Sequence, residues 1–411
     1  MLLKDCRIVS SKGVLRGDIL IEGEKISRIG AIPGRGHGDK INIKGAFVIP
    51  GLVDMHVHMR DFRESYKEDF LSGSRAAIAG GVTSFVDMPN SKPPVVDPGT
   101  FLKRQETAKK SVADYGLAYG VTEENVSTAG ENNAIFFKIY LDGSLGRITQ
   151  AVLEEAVSRL PRTAVHAEEA ELFRDGERPV EAEERAVRRV GATAQRLQKH
   201  VHVCHVSSAP GLRALNSYTT CEVTPHHLLL TEKDVEEHGG IAKVNPPLRS
   251  AKDSRALLMG LKTGRIAAIA SDHAPHSRRE KDRSYREAAA GIAGLDSMLR
   301  LLLTMVHQGK ITLPELVKWC CENPAKLLGL NAKGGIAPGM DADLVVLDMS
   351  KKGQIEGDEF YSKAKETPFE GKKVTGDVDK VVLRGRVVYE EEEVIGKRGY
   401  GKPLKFSPPP Q

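Results

Sequence analysis

The sequence predicts an α/β protein: a (β/α)8 barrel of the TIM type joined to a small β-sandwich-like domain formed by both ends of the chain. Eight short apolar stretches alternate with helical patterns across the middle of the chain, and short strand patterns occupy both ends. Polar residues, histidines above all, follow the apolar stretches. A doubly wound open sheet is the alternative, but no Gly-x-Gly-x-x-Gly fingerprint follows a predicted strand.

Residues 1–50 form the N-terminal part of the predicted β domain. Short apolar stretches are separated by glycine and charged residues, a pattern typical of strands and turns and not of helices. The predicted strands are Leu2–Val9, Gly17–Glu22, Lys25–Ile29 and Lys40–Ile43.

Residues 51–335 form the predicted barrel. Eight strands with intervening helices over about 220 residues fit a closed barrel better than an open sheet. The predicted strands are Leu52–His56, Ser84–Met88, Tyr115–Val121, Phe136–Tyr140, Thr163–His166, His202–His205, Cys221–Thr224 and Ala267–Ser271. The helical patterns between them include Phe70–Ala79, Pro98–Val112, Gln150–Arg159 and Glu181–Lys199.

Residues 336–411 form the C-terminal part of the β domain and a tail, after a helical stretch at Thr312–Leu330. The charge run Glu390–Glu393 is interpreted as a solvated turn, and Lys402–Gln411, which is rich in proline, as an extended tail. The two strand-rich ends are expected to pack as one domain, because chain termini often lie close together. The predicted strands are Leu344–Leu347, Lys380–Leu383 and Arg386–Tyr389.

The composition excludes several classes of function. A net charge of +5 over 411 residues, with basic residues interleaved with acidic ones, gives no nucleic-acid-binding stripe. No apolar run is long enough for a membrane span, and no export signal opens the chain. The five cysteines lack the spacing of a disulfide framework, so a reducing, cytoplasmic location is expected.

The first candidate site is the stretch Asp54–Arg60, which follows the apolar run Ala46–Val53. Alternate side chains of an extended chain share a face, so His56, His58 and Arg60 are expected to point the same way. Two imidazoles about 7 Å apart at their Cα atoms can close on one metal ion. A guanidinium beside them suits an anionic group of a substrate. For this motif alone, a pair of core histidines is the alternative.

Four more candidates close later strands: Lys138, His166, His205 and Asp272. The carboxyl ends of all barrel strands meet at one face, where active sites lie. Imidazole and carboxylate donors without paired thiolates favour Zn²⁺, with Mn²⁺, Fe²⁺ and Co²⁺ as competitors. Two such ions would polarise a carbonyl and generate a bridging hydroxide near neutral pH. Asp272 could accept the proton and pass it to a leaving nitrogen.

Lys138 lies inside the apolar run Ile135–Leu141, where an ammonium would be desolvated. As an ammonium it has only donors and cannot bind a metal. Reaction with CO2 would convert it to an N6-carboxylated lysine, whose carboxylate could bridge two cations. A lysine that faces outward is the alternative.

These motifs resemble those of the amidohydrolase superfamily and, among its cyclic amidases, those of the dihydroorotase family. The first motif is Asp54–Arg60, and the last is Ser271–His276. The resemblance extends over essentially the whole chain, including the split β domain. Further segments that carry it are Asp87–Asn90, Glu222–His227 and Lys243–Arg249.

The resemblance implies a site with two divalent metal ions, Zn²⁺ being the expected metal. One ion would be held by His56, His58 and Asp272 and the other by His166 and His205, with carboxylated Lys138 as the bridge. Asp272 would also be the general acid and base. The residues that would contact the substrate are His58, Arg60, Asn90, Asn245, His276, Ala290 and Gly291.

Two positions depart from the family pattern. Some members use an aspartate in place of the bridging lysine, and Asp142 lies close to Lys138 in the sequence. The segment Glu287–Gly294 carries alanines where the family usually has prolines, a departure that bears on the backbone contacts expected from Ala290 and Gly291.

Several other conspicuous residues are interpreted as structural. Cys204 and Glu222 match positions that hold a third metal in some relatives, but Cys204 is interpreted as a small core residue. His202 is expected in the core or behind the metal ligands. The pairs His226–His227 and Cys320–Cys321 are interpreted as parts of a loop and of a helix.

The activity that the resemblance implies is the reversible conversion of (S)-dihydroorotate to N-carbamoyl-L-aspartate in de novo pyrimidine biosynthesis, with an anionic cyclic ureide as substrate. An allantoinase or a hydantoinase would share the metal site and differ at Arg60, Asn90 and Asn245. A catalytically silent scaffold would be expected to lack metal ligands. Fold analogy suggests a homodimer, and association with a transcarbamoylase is a further partner to test.

Overall fold

The structure is a computed structural model that describes residues 1–34 and 38–406. The last five residues of the predicted tail lie outside the described residues. Within the described ranges, no helix combines the length and the apolar character needed to cross a membrane.

The strands and helices are numbered in chain order. The strands are β1 (Leu2–Ser10), β2 (Gly13–Glu22), β3 (Lys25–Gly30), β4 (Lys40–Asn42), β5 (Phe47–Pro50), β6 (Leu52–Val57), β7 (Val82–Asp87), β8 (Asp114–Leu117), β9 (Tyr119–Gly120), β10 (Phe137–Tyr140), β11 (Thr163–His166), β12 (Val201–Val203), β13 (Thr219–Val223), β14 (Ala268–Ile269), β15 (Leu344–Gln354), β16 (Lys373–Leu383), β17 (Arg386–Glu390) and β18 (Glu393–Val394). The α-helices are α1 (Phe70–Ala79), α2 (Pro98–Ala108), α3 (Gln150–Arg159), α4 (Val180–Leu197), α5 (Ala209–Ala214), α6 (Pro225–Leu229), α7 (Glu232–His238), α8 (Ala251–Lys262), α9 (Arg278–Lys281), α10 (Met298–His307), α11 (Leu313–Val317) and α12 (Asn323–Leu327).

Strands β6–β14 form the barrel that the sequence predicts. They pair in parallel in the orders β6-β7-β8 and β9-β10-β11-β12-β13-β14, and only Ala118 separates β8 from β9. A parallel bridge between Val57 and His273 joins the first strand to the segment that follows the last one. All eight predicted barrel strands are present, and α1 and α3 have the predicted bounds.

The two ends of the chain form one nine-stranded sheet, in the order β18-β17-β16-β15-β5-β1-β2-β3, with β4 beside β1. Strand β5 pairs in parallel with β1 and antiparallel with β15, so it joins the N-terminal strands to the C-terminal ones. The predicted β domain built from both termini is therefore confirmed, whereas its boundaries at residues 50 and 335 stay a prediction. Glu391 and Glu392 form the turn between β17 and β18.

Gly51 is the single residue between β5, in the β domain, and β6, in the barrel. A Cβ atom at this position would lie 2.1 Å from Thr83 Oγ1, so the close approach of β7 excludes any side chain. The backbone N–H of Gly51 donates to the carbonyl of Asp343 (2.9 Å), just before β15. The first barrel strand thus starts from a point held by both parts of the molecule.

Apolar side chains form two buried clusters in and around the barrel. One buried cluster lies on residues of the barrel strands and of α12, and a larger one packs the barrel strands against the surrounding helices. Burial of this apolar surface stabilises the fold and leaves only the polar strand ends to form the site. The first cluster includes Val53, Met55, Val86, Phe136, Ala164 and Ala268.

The predicted helical stretch Thr312–Leu330 is not one continuous α-helix. Between α11 and α12 lies a π-helical segment, Lys318–Glu322, in which the N–H of Asn323 donates to the carbonyl of Lys318. Pro324 follows directly and has no N–H to donate, which interrupts the regular hydrogen-bond ladder. Cys320 and Cys321 are buried in this segment, in agreement with their structural interpretation.

A buried cluster of charges joins the barrel to the β domain. Lys333 Nζ lies 2.6 Å from Asp114 Oδ2, at the start of β8, and 2.6 Å from Asp343 Oδ2. Its third partner is Asp341, at 3.0 Å, and Arg384 also contacts Asp114. Burial lowers the pKa of Lys333, but the three carboxylates outweigh burial and raise it, so the ammonium stays charged.

Replacing Lys333 with methionine should destabilise the fold, because it leaves three carboxylates without their common cation. The expected loss in the free energy of unfolding is about 3–5 kcal/mol, measured at neutral pH by denaturant or thermal unfolding. Lys326→Met, at an exposed position on α12, is the matched control. Equal stability of the two variants would contradict the role assigned to the cluster.

Candidate metal centre and substrate cavity

A cavity of about 260 Å³ opens among the carboxyl ends of the barrel strands. The structure brings nearly all of the predicted site residues to its wall, although they are spread over more than half of the sequence. Lys138 is the exception: it is fully buried and does not line the cavity. The predicted residues that do line it are His56, His58, Arg60, Asn90, His166, His205, Asn245, Asp272, His276, Ala290 and Gly291.

The first group of donor atoms comes from the first barrel strand and from the segment after the last one. His56 Nε2 and His58 Nε2 lie 3.5 and 3.1 Å from the same oxygen, Asp272 Oδ1. A ligand atom from each of the three buried side chains lies within 4.8 Å of the other two. The Val57–His273 bridge places them together, because it pairs the end of β6 with the segment that carries Asp272.

The second group is a pair of imidazoles on adjacent strands. His166 ends β11, and His205 follows β12. His166 Nδ1 lies 3.0 Å from His205 Nε2, and the rings are nearly perpendicular at 70°. The ring of His205 lies 5.1 Å from that of His56 between centroids, so the two groups adjoin.

Lys138 lies on β10 with its side chain directed into the barrel. Its Nζ atom is 2.7 Å from Cys204 Sγ and 5.1 Å from the centre of the Tyr140 ring. The alternative of a lysine that faces outward is therefore wrong. Its amine is buried against a thiol and an aromatic ring, with no carboxylate among these contacts.

Asp142, the alternative bridge, lies on the other side of His166. Asp142 Oδ2 is 3.6 Å from His166 Nε2, whereas His166 Nδ1 is the atom that faces His205. The carboxylate is already paired with Arg178 Nη2 at 3.2 Å. This carboxylate is thus engaged by a cation, on the side of His166 away from His205.

A further cluster lies behind His56. His56 Nδ1 is 2.5 Å from Glu222 Oε1, and donor atoms of His56, Glu222 and Cys204 all lie within 4.8 Å of one another. His202 Nε2 approaches the second oxygen of Glu222 at 3.3 Å, as expected for a residue behind the ligands. Cys204 is buried, as predicted, but it lies within this donor cluster as well as in the core.

Electrostatics in the cavity favour a bound cation. Burial lowers the pKa of His205 well below its ordinary value and that of His58 to about 4, which leaves both imidazoles neutral. Burial opposes protonation of His56, but the carboxylates of Glu222 and Asp272 outweigh it and raise its pKa to about 10. Although burial raises the pKa of Asp272, the neighbouring histidines, His56 foremost, hold it well below its usual range.

The buried histidine and aspartate groups fit a divalent metal ion. Neutral imidazole nitrogens and an ionised carboxylate are the ligands that Zn²⁺ and related ions prefer. The carboxylates beside His56 create a negative potential that a cation would neutralise. The residues present thus match the donor chemistry of a metal centre.

The backbone that carries Arg60 to the cavity is not an extended strand. Strand β6 ends at Val57, and Arg60, Asp61 and Phe62 all have left-handed backbones, with φ of 50°, 55° and 48°. The expectation that Arg60 continues the alternation of the strand is therefore wrong, although its side chain does line the cavity. Such conformations cost about 1–3 kcal/mol each and are found mainly at functional sites.

Arg60 is surrounded by the other predicted substrate contacts. Arg60 Nη2 lies 3.0 Å from His276 Nε2, and Arg60 Nε donates to the carbonyl of Pro275 at 3.1 Å. Asn90 Oδ1 lies 2.7 Å from His58 Nδ1, so Asn90 also orients a metal-type ligand. Burial and the charge of Arg60 lower the pKa of His276 far below its ordinary value, and this imidazole is neutral.

Asn245, Ala290 and Gly291 form a further part of the cavity wall. In the amide orientation that gives both the oxygen and the nitrogen of Asn245 a hydrogen-bond partner, the oxygen accepts from Arg178 Nη2 at 3.1 Å. The carbonyl of Ala290 accepts from His276 Nε2 at 3.0 Å. Gly291 has a φ of 149°, and a Cβ there would lie 2.3 Å from the carbonyl oxygen of Ala274, so the turn requires glycine.

Sequence reasoning missed Tyr140 and Arg178, which line the cavity, and Glu168 behind it. Tyr140 lies two positions after Lys138 on the same strand, a spacing that could have identified it. Glu168 accepts from His166 Nε2 (2.9 Å) and from Arg178 (2.6 Å), so it orients a candidate ligand. Arg178 stands in a mixed run of charges that looks solvated, and nothing in the sequence distinguishes it.

The interpretation of His226 and His227 as parts of a loop is wrong, because both belong to a short helix, but the contacts of His227 are structural, as expected. They lie on α6, next to the end of β13. His227 bonds to Thr224 Oγ1 at 2.8 Å and to the carbonyl of Pro246 at 2.9 Å. These contacts tie α6 to Pro246, which follows Asn245, and use both ring nitrogens of His227.

Comparison with known proteins gives one consistent family. A model of the amidohydrolase family matches residues 47–174 and 189–388. The dihydroorotase of Pyrococcus horikoshii is 42% identical over 393 residues, with 93% of this chain and 91% of the relative covered. That of Methanothermobacter thermautotrophicus is 37% identical, with 97% and 96% covered. The solved structure of the L-hydantoinase (dihydropyrimidinase) from Arthrobacter aurescens has a TM-score of 0.93 at 30% identity, with 98% of this chain and 99% of that chain covered.

The purified chain should contain divalent metal, measurable by elemental analysis. Asp272→Ala should lower the content by about one ion per chain, because it removes a ligand from a buried cluster. Asp282→Ala, at an exposed position after α9, is the control and should keep the full content. Equal metal content in the two variants would show that Asp272 does not bind the ion.

Proposed function

The chain belongs to the dihydroorotases of the amidohydrolase family, and from this premise we propose that it interconverts (S)-dihydroorotate and N-carbamoyl-L-aspartate in de novo pyrimidine biosynthesis. It is a metal-dependent hydrolase of a cyclic amide. The observation that carries the proposal is the buried guanidinium of Arg60 in the same small cavity as the histidine and aspartate cluster.

Arg60 would bind the carboxylate of the substrate. A guanidinium stays protonated even when burial lowers its pKa, and its planar fork matches a carboxylate with two parallel hydrogen bonds. His276 beside it is neutral, so it does not repel Arg60. Asn90, Asn245 and the backbone at Ala290 and Gly291 would contact the polar atoms of the ring.

His56, His58 and Asp272 would hold one ion, and His166 and His205 the other. When bound, divalent ions supply Lewis-acid polarisation of the amide carbonyl and lower the pKa of water. Asp272 would take the proton that the attacking water loses and deliver it to the ring nitrogen as the carbon–nitrogen bond breaks. Its low pKa keeps the carboxylate in the ionised form that binds a cation.

We assign Lys138 to the bridge between the two ions, as an N6-carboxylated lysine. Its burial and its contact with Cys204, the residue before His205, support this assignment. Without carboxylation, a charged Lys138 would repel a cation at the histidines. The expected metal is Zn²⁺, on the chemistry of nitrogen and oxygen donors.

The substrate is a small molecule. The cellular location is inferred from the cysteines, and the protein partners are predictions. The five cysteines are free and buried, which supports a reducing cytoplasm. A homodimer and an association with a transcarbamoylase stay predictions, which size measurement of the purified protein with and without a transcarbamoylase would test.

Arg60→Ala should all but abolish turnover of dihydroorotate, a loss of about a hundredfold or more in kcat/KM, with metal content intact. Arg60→Lys keeps the charge but not the fork, so it should recover only part of the activity. Arg279→Ala, on the exposed side of α9, is the control. Wild-type activity on hydantoin or allantoin above that on dihydroorotate would instead assign the chain to a sibling cyclic amidase.

Metal-free protein should regain activity faster when bicarbonate accompanies Zn²⁺, because carboxylation of Lys138 consumes CO2. The measurement is the rate of reactivation with and without added bicarbonate. A Lys138→Gln variant should show no dependence on bicarbonate. Identical rates for the wild type under both conditions would argue against carboxylation.

A further inference from the structure

Lys281, the last residue of α9, is buried beside the substrate cavity and is 3% exposed. Its Nζ atom donates to three carbonyl oxygens, those of Gly291 (2.8 Å), Lys243 (3.0 Å) and Ala289 (3.0 Å). The three acceptors belong to two separate segments, 243–245 and 289–291, and both segments contribute to the cavity wall.

The chemistry of this lysine is unusual for a purely structural residue. All three hydrogen-bond acceptors are backbone oxygens, so no carboxylate among them offsets the buried charge. Burial, with the nearby charges of Lys243 and Arg60, lowers the pKa of Lys281 to about 7. An apolar side chain would fill this space at lower cost, which indicates that the N–H donors themselves are needed.

The segment that Lys281 holds cannot anchor itself. Residues 288–291 read Ala-Ala-Ala-Gly, so no side chain there is larger than a methyl group. Its conformation depends on bonds to the backbone from outside the segment. One is the N–H of Gly291, which donates to the carbonyl of Lys243 (2.9 Å), the same oxygen that accepts from Lys281.

The segment is in direct contact with the groups that would bind the substrate. Ala290 lies in the sequence between Ala289 and Gly291, whose carbonyls accept from Lys281. The carbonyl of Ala290 itself accepts from His276 Nε2. His276 Nε2 in turn lies 3.0 Å from Arg60 Nη2. A shift of Ala290 would therefore move the imidazole that lies against the guanidinium.

We propose that Lys281 is a positioning residue for substrate binding, which ties segments 243–245 and 289–291 together in the arrangement that receives the ring and its carboxylate. The identity of that substrate rests on the proposed function. Lys281 does not contact the reacting atoms, so its effect is on the affinity for substrate more than on the chemical step.

The test compares Lys281→Met with Lys262→Met, which changes the exposed last residue of α8. Lys281→Met should raise the KM for dihydroorotate at least about tenfold and change kcat less than about threefold, with metal content unchanged. Lys281→Arg, which keeps the charge and donors, should recover part of the affinity. Lys262→Met should leave KM and kcat unchanged.

Amide hydrogen exchange of the substrate-free protein provides a measurement that does not depend on activity. Lys281→Met should speed exchange in peptides that cover 287–294 and 241–249, and Lys262→Met should not. The proposal is overturned if Lys281→Met changes neither KM nor the rate of exchange. This holds even if the variant has a lower thermal stability.

Two further outcomes separate this proposal from the assignment of the substrate. If the wild type does not turn over dihydroorotate while Lys281→Met still loosens both segments, the proposed function fails and the tie between the segments stands. If Lys281→Met does not fold, Lys281→Gln, which retains two N–H donors on a shorter side chain, carries the same measurements and the same criteria.

Discussion

Closure of the barrel is the constraint on which the site depends. The backbone N–H of His58 donates to the carbonyl of His273 at 2.8 Å, which pairs the end of the first strand with the segment after the last. These residues are more than two hundred positions apart, and no local preference could bring them together. Once the barrel closes, His56 and His58 face Asp272 without any further adjustment of the chain.

The same closure explains which parts of the site can be recognised from sequence. Histidines at strand ends are visible because a parallel barrel directs all strand ends to one face. Strand β10 reads as an apolar run with one lysine, and burial in the structure explains why that lysine is chemically unusual. These predictions required only periodicity and the chemistry of side chains.

Other parts could not be predicted because they depend on backbone geometry or distant packing. Arg60 reaches the cavity through left-handed residues, and no residue in that segment is a glycine that would have suggested such a turn. The π-helical segment before Pro324 depends on one missing N–H within an otherwise ordinary helical pattern. Arg178 lies in a run of mixed charges, and only the folded chain shows that it joins Glu168 to Asn245.

The single-residue connection at Gly51 has a consequence for how the molecule can be divided. Its N–H is bound to the C-terminal part of the chain, and β5, which precedes it, is hydrogen-bonded on both edges within the terminal sheet. A fragment that starts at residue 51 would lose β5 and expose the edge of β15 that β5 covers. The catalytic barrel and its terminal sheet therefore form one cooperative unit, and neither is expected to survive as an independent module.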